Sequence, residues 1–452
     1  MYIYGANLIA SATGFLYWVI AAKFVSSNVL GTASAVISLT SIVSALSTLG
    51  LGTAILRVGP IYRDKIGEVT CTALVLDLSA TVIMVLGGLI VFTKILGYSW
   101  SVFFIIPLAL VWVSATTLRP VFIATRNAKY LSYAQTLSAI VRIGIGIAIL
   151  IALPTVIGVL LGYLLGSLAV IITLLVVILQ KKLLELRTSK THAIELLRAG
   201  IPIWLPNIIT VLGTQLGVVF TYSLRGGSEA GYLYIAQAIA LAIDSARVAI
   251  ASALISSIAT NRFNLERLSQ AIRLIYTLLL PLNIILIFCP EPLLQLINTE
   301  YIVAANLLRL FATSNIMLSA VGLVATHIYA KGDYKYTLLI NTATSITRIT
   351  LYTMLTPLYG ATGVATAYLT GTIVTTILVM VKIIKEKVIM PWREMFISTL
   401  IAIFINITIE GFRQTLITVA TALTMMYAIL LVLKIIRKEE LLILARAVLR
   451  SR

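Results

Sequence analysis

The 452-residue chain is 60% hydrophobic and only 11% charged, with a formal net charge of +18. That composition excludes a soluble globular domain. Apolar runs of about 20 residues, enough to cross a bilayer, recur from end to end. The charge does not point to nucleic acid, because Lys and Arg gather in short links between apolar segments, as orientation in a membrane requires.

Taken in order, the runs predict helices at roughly 4–25, 31–56, 69–93, 101–124, 131–152, 156–180, 201–223, 229–258, 270–289, 301–328, 335–356, 360–383, 393–410 and 414–436. The fold class is therefore all-α: a polytopic membrane protein of about 14 transmembrane helices. The weak alternation of a membrane barrel is absent. The first run has no A-x-A-like cleavage site and reads as a retained helix rather than a signal peptide. With the N-terminus in the cytoplasm, alternate links and the C-terminal end collect 26 of the 34 Lys and Arg. The outer links hold Lys23, Lys94, Arg225 and Arg413, and four arginines lie inside spans: Arg142, Arg247, Arg309 and Arg348. This alternation predicts a cell-membrane protein with an even number of spans and both termini in the cytoplasm.

Two pairs of segments suggest duplication. GVLLGYLLG (158–166) and GVATAYLTG (363–371) share five of nine residues at an offset of 205. SSNVLGTASAVISL (26–39) and GGSEAGYLYIAQAI (226–239) align Gly31 with Gly231 at an offset of 200. Similar offsets predict two copies of a six-helix unit, related by an axis along the membrane normal, with a substrate site between them. The domain reading is a six-helix lobe over 1–180, a cytoplasmic linker over 181–200 and a second six-helix lobe over 201–385. Two additional helices over 386–436 and a basic amphipathic tail over 437–452, suited to an anionic membrane surface, complete the chain. Gly31, Gly158, Gly231 and Gly363 would permit close helix contacts.

The duplication gives SITRIT (345–350) a meaning. A guanidinium in hydrocarbon costs at least about 2.5–3.5 kcal/mol on insertion scales, so Arg348 needs a partner or a task. Arg142, in SAIVRIGIG, precedes the first copy of the repeated motif much as Arg348 precedes the second. Two arginines at repeat-related places suggest one shared cationic cavity for a phosphate, which guanidinium binds as a bidentate fork. Arg309, in NLLRLF, either faces that cavity or snorkels outward. Asp244 and Arg247, three apart in one helix, either neutralise each other or form an ion-sensitive latch. Asp77 is an isolated acid that could carry a coupling H⁺ or Na⁺ or pair with a cavity arginine. Asn7, Gln237 and Asn341 are amides suited to sugar hydroxyls. Glu291 and Glu300 read as solvated loop acids. Cys71 and Cys289 read as small buried residues. His192 and His327 lack metal-ligand spacing, so no metal and no cofactor are expected. No nucleotide-binding loop is present, which leaves an ion gradient or product consumption as the driving force.

LGLGTAILR (49–57), ANLLRLFATSNIMLSAVGLVATHIYAKGDYKYTLLI (305–340) and LTPLYGATGVATAYLTG (355–371) resemble helix two, helices ten and eleven, and the LIP-x-YG-x-x-GAA-type signature of the Wzx-type polysaccharide transporters. These are the lipid-linked oligosaccharide flippases of the multidrug/oligosaccharidyl-lipid/polysaccharide (MOP) exporter superfamily. The resemblance implies fourteen helices in two six-helix lobes forming a V around a cationic central cavity. It implies a non-enzymatic flippase that works by alternating access as a monomer. The implied cargo is a polyprenyl-phosphate- or pyrophosphate-linked glycan, moved outward for surface polysaccharide or glycan biosynthesis. Arg57 sits where the family has a basic residue, and either receives the headgroup at the inner mouth or anchors the helix end. One departure is Gln215, where many relatives carry an acid in helix seven; beyond about 393 only apolar character matches. A multidrug-type ion-coupled exporter would want cavity acids, yet in-span arginines outnumber in-span acids four to two. A membrane glycosyltransferase would want an outer domain, for which the outer links are too short. A lipid II-type flippase is a close sibling.

Overall fold

A computed structural model describes residues 2–97, 100–259, 265–410, 416–433 and 435. Among them the chain is almost wholly helical and has no strand. Backbone groups in hydrocarbon must be satisfied within the segment, which an α-helix does. In order the helices are α1 (Tyr2–Phe24), α2 (Ser27–Ser47), α3 (Leu51–Val58), α4 (Ile66–Leu96), α5 (Ile105–Ala124), α6 (Lys129–Ile140), α7 (Ile147–Ala152) and α8 (Val156–Gln180). They continue with α9 (Lys190–Arg225), α10 (Gly227–Ala259), α11 (Leu265–Phe288), α12 (Glu291–Ile297), α13 (Ala305–Ala330), α14 (Tyr334–Glu386), α15 (Trp392–Glu410) and α16 (Leu416–Val432). A π-helical turn, Val141–Gly146, joins α6 to α7. Ten helical stretches among the described residues are long and apolar enough to cross a membrane, and the chain is a multi-pass membrane protein. The basic tail expected over 437–452 lies outside the described residues, as does Arg413.

Several expected spans differ in outline. The predicted helix 31–56 is two, because Gly50 takes φ 72° and interrupts it beside Gly200 of α9. The predicted helix 201–223 begins eleven residues earlier, capped by Ser189, whose hydroxyl accepts from the His192 amide. The expected pair 335–356 and 360–383 forms α14, broken at Gly360 (φ 57°, ψ −135°). Contacts across the break run in opposite order: Lys382 to Asp333, the Tyr336 hydroxyl to the Leu378 carbonyl, Thr344 to Thr375, and Arg348 to Thr372. The two halves are therefore antiparallel, and Gly360 is the reversal that L-residues avoid.

The chain forms two compact units, Met1–Gly231 and Tyr232–Arg452. The first extends past the expected lobe limit at 180, since α9 lies against α2, α3 and α4. Small residues explain the closeness. Without water to expel, membrane helices associate through packing and hydrogen bonds, so glycine contacts matter. A Cβ on Gly31 would meet the Gly231 amide nitrogen at 2.5 Å. Gly158 and Gly363 are instead tight against their own preceding segments, at the Leu153 and Leu355 carbonyls. Leu51, Ile55, Val69, Val121 and Leu196 form the core at one end of the first unit. In the second, α11 and α13 carry the core, and α15 and α16 pack on α11. The Tyr427 hydroxyl donates to the Leu278 carbonyl at 2.7 Å and Tyr276 meets Thr399 at 2.9 Å.

Candidate functional site

The repeated motif turns out to build a seat for an arginine. In the first unit, Ser138 on α6 donates to the Gly166 carbonyl on α8 at 2.6 Å, drawing the two helices together. One turn on, Arg142 crosses the α8 backbone where a Cβ on Gly166 would stand only 2.7 Å from its Nε. Its guanidinium carbon then lies 4.6 Å from the centroid of the Tyr163 ring. Rings of Tyr17, Trp18 and Trp112 surround Tyr163 at 5.8–6.0 Å. The Tyr17 hydroxyl donates to the Val159 carbonyl at 2.7 Å, fixing the cluster. Arg142 is only 8% exposed. Its Nε has no hydrogen-bond partner, and among the described residues no carboxylate lies within ion-pair distance of it. The cation–π contact, about 0.5–2 kcal/mol, is the attraction the protein offers its charge.

Arg142 borders a cavity of about 680 Å³ built entirely within this unit. Arg119 on α5 lines it too, and no Asp or Glu does. Arg119 falls inside the predicted helix 101–124 but reads in the sequence with the basic residues of the link after it, not with the in-span arginines. In the structure it lies on α5, about one turn before the helix ends. The apolar PVFIA immediately after it was the available signal. The cavity also presents Gln135, Asn207, Gln215, Trp112 and Trp204. Gln215, noted in the sequence for replacing an acid, is thus a cavity residue.

The second unit repeats the seat. Arg348 lies 3.8 Å from the Tyr368 ring centroid. A Cβ on Gly371 would stand 2.5 Å from its Cγ. Here the guanidinium also has a protein acceptor: Nη2 donates to Thr372 Oγ1 at 3.1 Å, while Nε has no partner. Arg348 is 7% exposed, and Phe311 braces Tyr368 at 5.1 Å.

The remaining candidates separate. Arg247 is spent on Asp244 through two bonds, Nε to Oδ1 at 2.7 Å and Nη2 to Oδ2 at 2.6 Å. Arg309 is likewise engaged, with the Glu291 carboxylate at 2.6 Å, Asn306 at 2.8 Å and the Ile287 carbonyl at 3.0 Å. Glu291 is therefore a paired acid rather than a simply solvated one. Arg57 is exposed at the end of α3 and does not line the cavity, though its neighbours Thr53 and Leu56 do. Asp77 is fully buried on α4, accepts from Thr117 on α5, and leaves Oδ1 without a partner. Its partner is a hydroxyl and not a cavity arginine. Asn7 is exposed on α1, and Gln237 and Asn341 are half-buried on α10 and α14; none lines the cavity. No group of three or more metal-ligating side chains occurs among the described residues.

Residues 1–261 match the family of polysaccharide biosynthesis proteins, and the chain belongs to that family. Its fold is that of solved MOP-superfamily transporters. The lipid II flippase MurJ in an inward closed conformation superposes with a TM-score of 0.73 at 16% identity, over 94% of this chain and 97% of that one. A multidrug resistance MATE-family transporter in an inward-facing conformation gives 0.64 at 14% identity, over 84% and 97%. A MOP-superfamily transporter from Pyrococcus furiosus, for which a reversed polarity of the binding pocket suggests a different function, gives 0.60 at 16%, over 84% and 94%. No curated protein matches the chain.

Proposed function

We propose that this member of the polysaccharide biosynthesis family is a flippase for polyprenyl-phosphate- or pyrophosphate-linked oligosaccharide. The cargo passes from the cytoplasmic to the outer leaflet of the cell membrane by alternating access. The observation that carries the reading is the cavity of the first unit, where Arg119 and Arg142 meet no acid. Two unneutralised guanidinium groups in a membrane protein call for an anion, and a phosphate takes them in bidentate geometry. The polyprenyl tail can stay in lipid while the phosphate and glycan use the polar cavity. Arg348 is the second phosphate ligand in this reading, and its buried, acid-free setting supports it. Arg309 and Arg247 are structural, because their donors already hold carboxylates. Asp77, buried with one free carboxylate oxygen, is the acid we assign to ion coupling.

In this reading the chain acts without enzymatic chemistry, as a monomer of fourteen spans, with both termini cytoplasmic. An organic-cation exporter is disfavoured by the charge of the cavity, just as a reversed pocket polarity goes with a different function in the Pyrococcus furiosus transporter. The likeness to a lipid II flippase favours a second version of the same activity, with a peptidoglycan precursor as cargo.

The test is flipping of a fluorescent polyprenyl-pyrophosphate oligosaccharide in proteoliposomes, comparing the natural chain with the Arg142→Ala/Arg348→Ala double variant. Both must first reconstitute equally. Flipping by the natural chain alone supports the reading. Equal flipping makes both arginines structural and overturns the phosphate assignment.

A further inference from the structure

Three features of the cavity in the Met1–Gly231 unit are not explained by a phosphate. The first is Gln135, 7% exposed on α6, whose amide makes no hydrogen bond to the protein yet faces the cavity. Its amide reaches the cavity space, where it can both donate to and accept from a ligand. The second is the pair of tryptophans. Trp204 Nε1 donates to the Ala45 carbonyl at 2.9 Å and Trp112 Nε1 to Ser167 Oγ at 3.4 Å. With the polar edges held by protein, what these indoles offer the cavity is apolar ring surface. The third is Gln215 on α9, half-buried on the cavity wall and likewise without a protein hydrogen bond.

Amides that donate and accept, set beside fixed aromatic rings, suit a sugar: hydroxyls around the ring edge, C–H groups on its face. We infer that this cavity contains a phosphosugar subsite, in which Gln135 and Gln215 hold hydroxyls of the first sugar and Trp112 and Trp204 meet its ring, beside the arginines that hold its phosphate. The inference rests on the flippase reading and names the part of the cargo that is recognised. Gln135 and Arg142 are seven residues apart, two turns of one helix face, or roughly 10 Å, a distance that a phosphate and its sugar can bridge. The volume, about 680 Å³, lies within the roughly 300–1,000 Å³ of pockets that hold compact ligands. It accommodates a phosphate with its first one or two sugars and not a long glycan. Recognition therefore reads the reducing end of the glycan and is indifferent to the more distant sugars.

The experiment uses the full chain in detergent, titrated by calorimetry with inorganic phosphate, N-acetylglucosamine 1-phosphate and glucose 1-phosphate. At least one sugar phosphate should bind about tenfold or more tightly than inorganic phosphate. Gln135→Leu and, separately, Gln215→Leu should bring that affinity down about fivefold while leaving phosphate binding unchanged, which also certifies that each variant is folded. Trp204→Leu should act in the same direction. If phosphate binds but neither sugar phosphate binds better, or if both glutamine variants keep the full preference, the subsite is wrong while the flippase reading stands. If inorganic phosphate and both sugar phosphates fail to bind the natural chain, the cationic-cavity reading falls and takes the subsite with it.

Discussion

The two arginine seats are the same device used twice with different outcomes. Each has an arginine on one helix, a tyrosine beneath its guanidinium and, three residues after the tyrosine, a glycine where the side chain crosses. In the second unit Arg348 sits on a regular α-helix, stacks at 3.8 Å and donates to Thr372. In the first unit Arg142 sits on a π-helical turn, stacks at 4.6 Å and donates to nothing in the protein. Tyr163 lies 21 positions after Arg142 and Tyr368 lies 20 after Arg348. A π turn is how a helix absorbs one extra residue, and such turns gather at functional sites. The position equivalent to Thr372 is Ser167, whose hydroxyl donates to the Tyr163 carbonyl and meets Trp112. Both seats keep the same scaffold, and their difference leaves the Arg142 guanidinium without a protein acceptor while that of Arg348 has one.

The largest effect that could break this comparison comes from the single arginine variants. Truncating a charged hydrogen-bonding partner of a ligand costs about 1.5–3 kcal/mol, which is roughly a 10–100-fold loss of affinity. Arg142→Ala should lose that much in inorganic phosphate binding and show a matching fall in flipping. Arg348→Ala should lose less than about fivefold, because one of its donors already serves Thr372. Arg142→Lys should not restore binding, since a point charge cannot supply the planar fork. Equal losses from both alanine variants would mean that the Thr372 bond gives way to the ligand and the seats are functionally alike.

How much of this is legible in the sequence depends on which signals are local. Helical class and the positions of the spans are legible because apolar runs are local and long. The repeat is legible because GVLLGYLLG and GVATAYLTG keep the residues that contact an arginine: Tyr163 with Gly166, and Tyr368 with Gly371. The break at Gly50 is not, since Gly50 meets Gly200, 150 positions away; the early start of α9 has a local cap in Ser189, but the charged run after it reads as a link. Arg119 is hidden by its place near a helix end, where an anchoring arginine looks the same as a cavity one. Gln135, Trp112 and Trp204 carry no motif at all; only the assembled helices bring them to one wall. Arg309 looks free in sequence because Glu291, its partner, lies 18 positions away across a turn.

A middle-sized effect comes from the glycines. Adding one methyl group at Gly166 or Gly371 forces the crossing arginine aside, and overpacking of this kind costs about 1–3 kcal/mol. Gly166→Ala and Gly371→Ala should therefore lower thermal stability by similar amounts in detergent. They should differ in ligand binding: Gly166→Ala displaces a cavity arginine and should weaken phosphate binding several-fold, whereas Gly371→Ala should leave it within about twofold. A binding loss in Gly371→Ala as large as in Gly166→Ala would make Arg348 as strong a phosphate ligand as Arg142.

The smallest effect tests the one hydrogen bond that separates the seats. Thr372→Val keeps the volume and removes the acceptor of the Arg348 Nη2 donor. A hydrogen bond to a charged group contributes about 1.5–3 kcal/mol, but helix packing in a membrane leaves the freed guanidinium access to other partners, so the measured loss should be nearer about 1 kcal/mol. For a unit of this size that corresponds to a midpoint shift of about 2–4 °C. Phosphate affinity should hold or rise slightly, because Arg348 then resembles Arg142 in having no hydroxyl to serve. The informative background is Arg119→Ala/Arg142→Ala, where both cavity arginines are gone and any phosphate binding that remains depends on the second seat: Thr372→Val should raise it there if hydrogen bonding to Thr372 is what withholds Arg348. If binding in that background does not move, the closer stacking on Tyr368 and the regular helix beneath Arg348, rather than the threonine, set the two arginines apart.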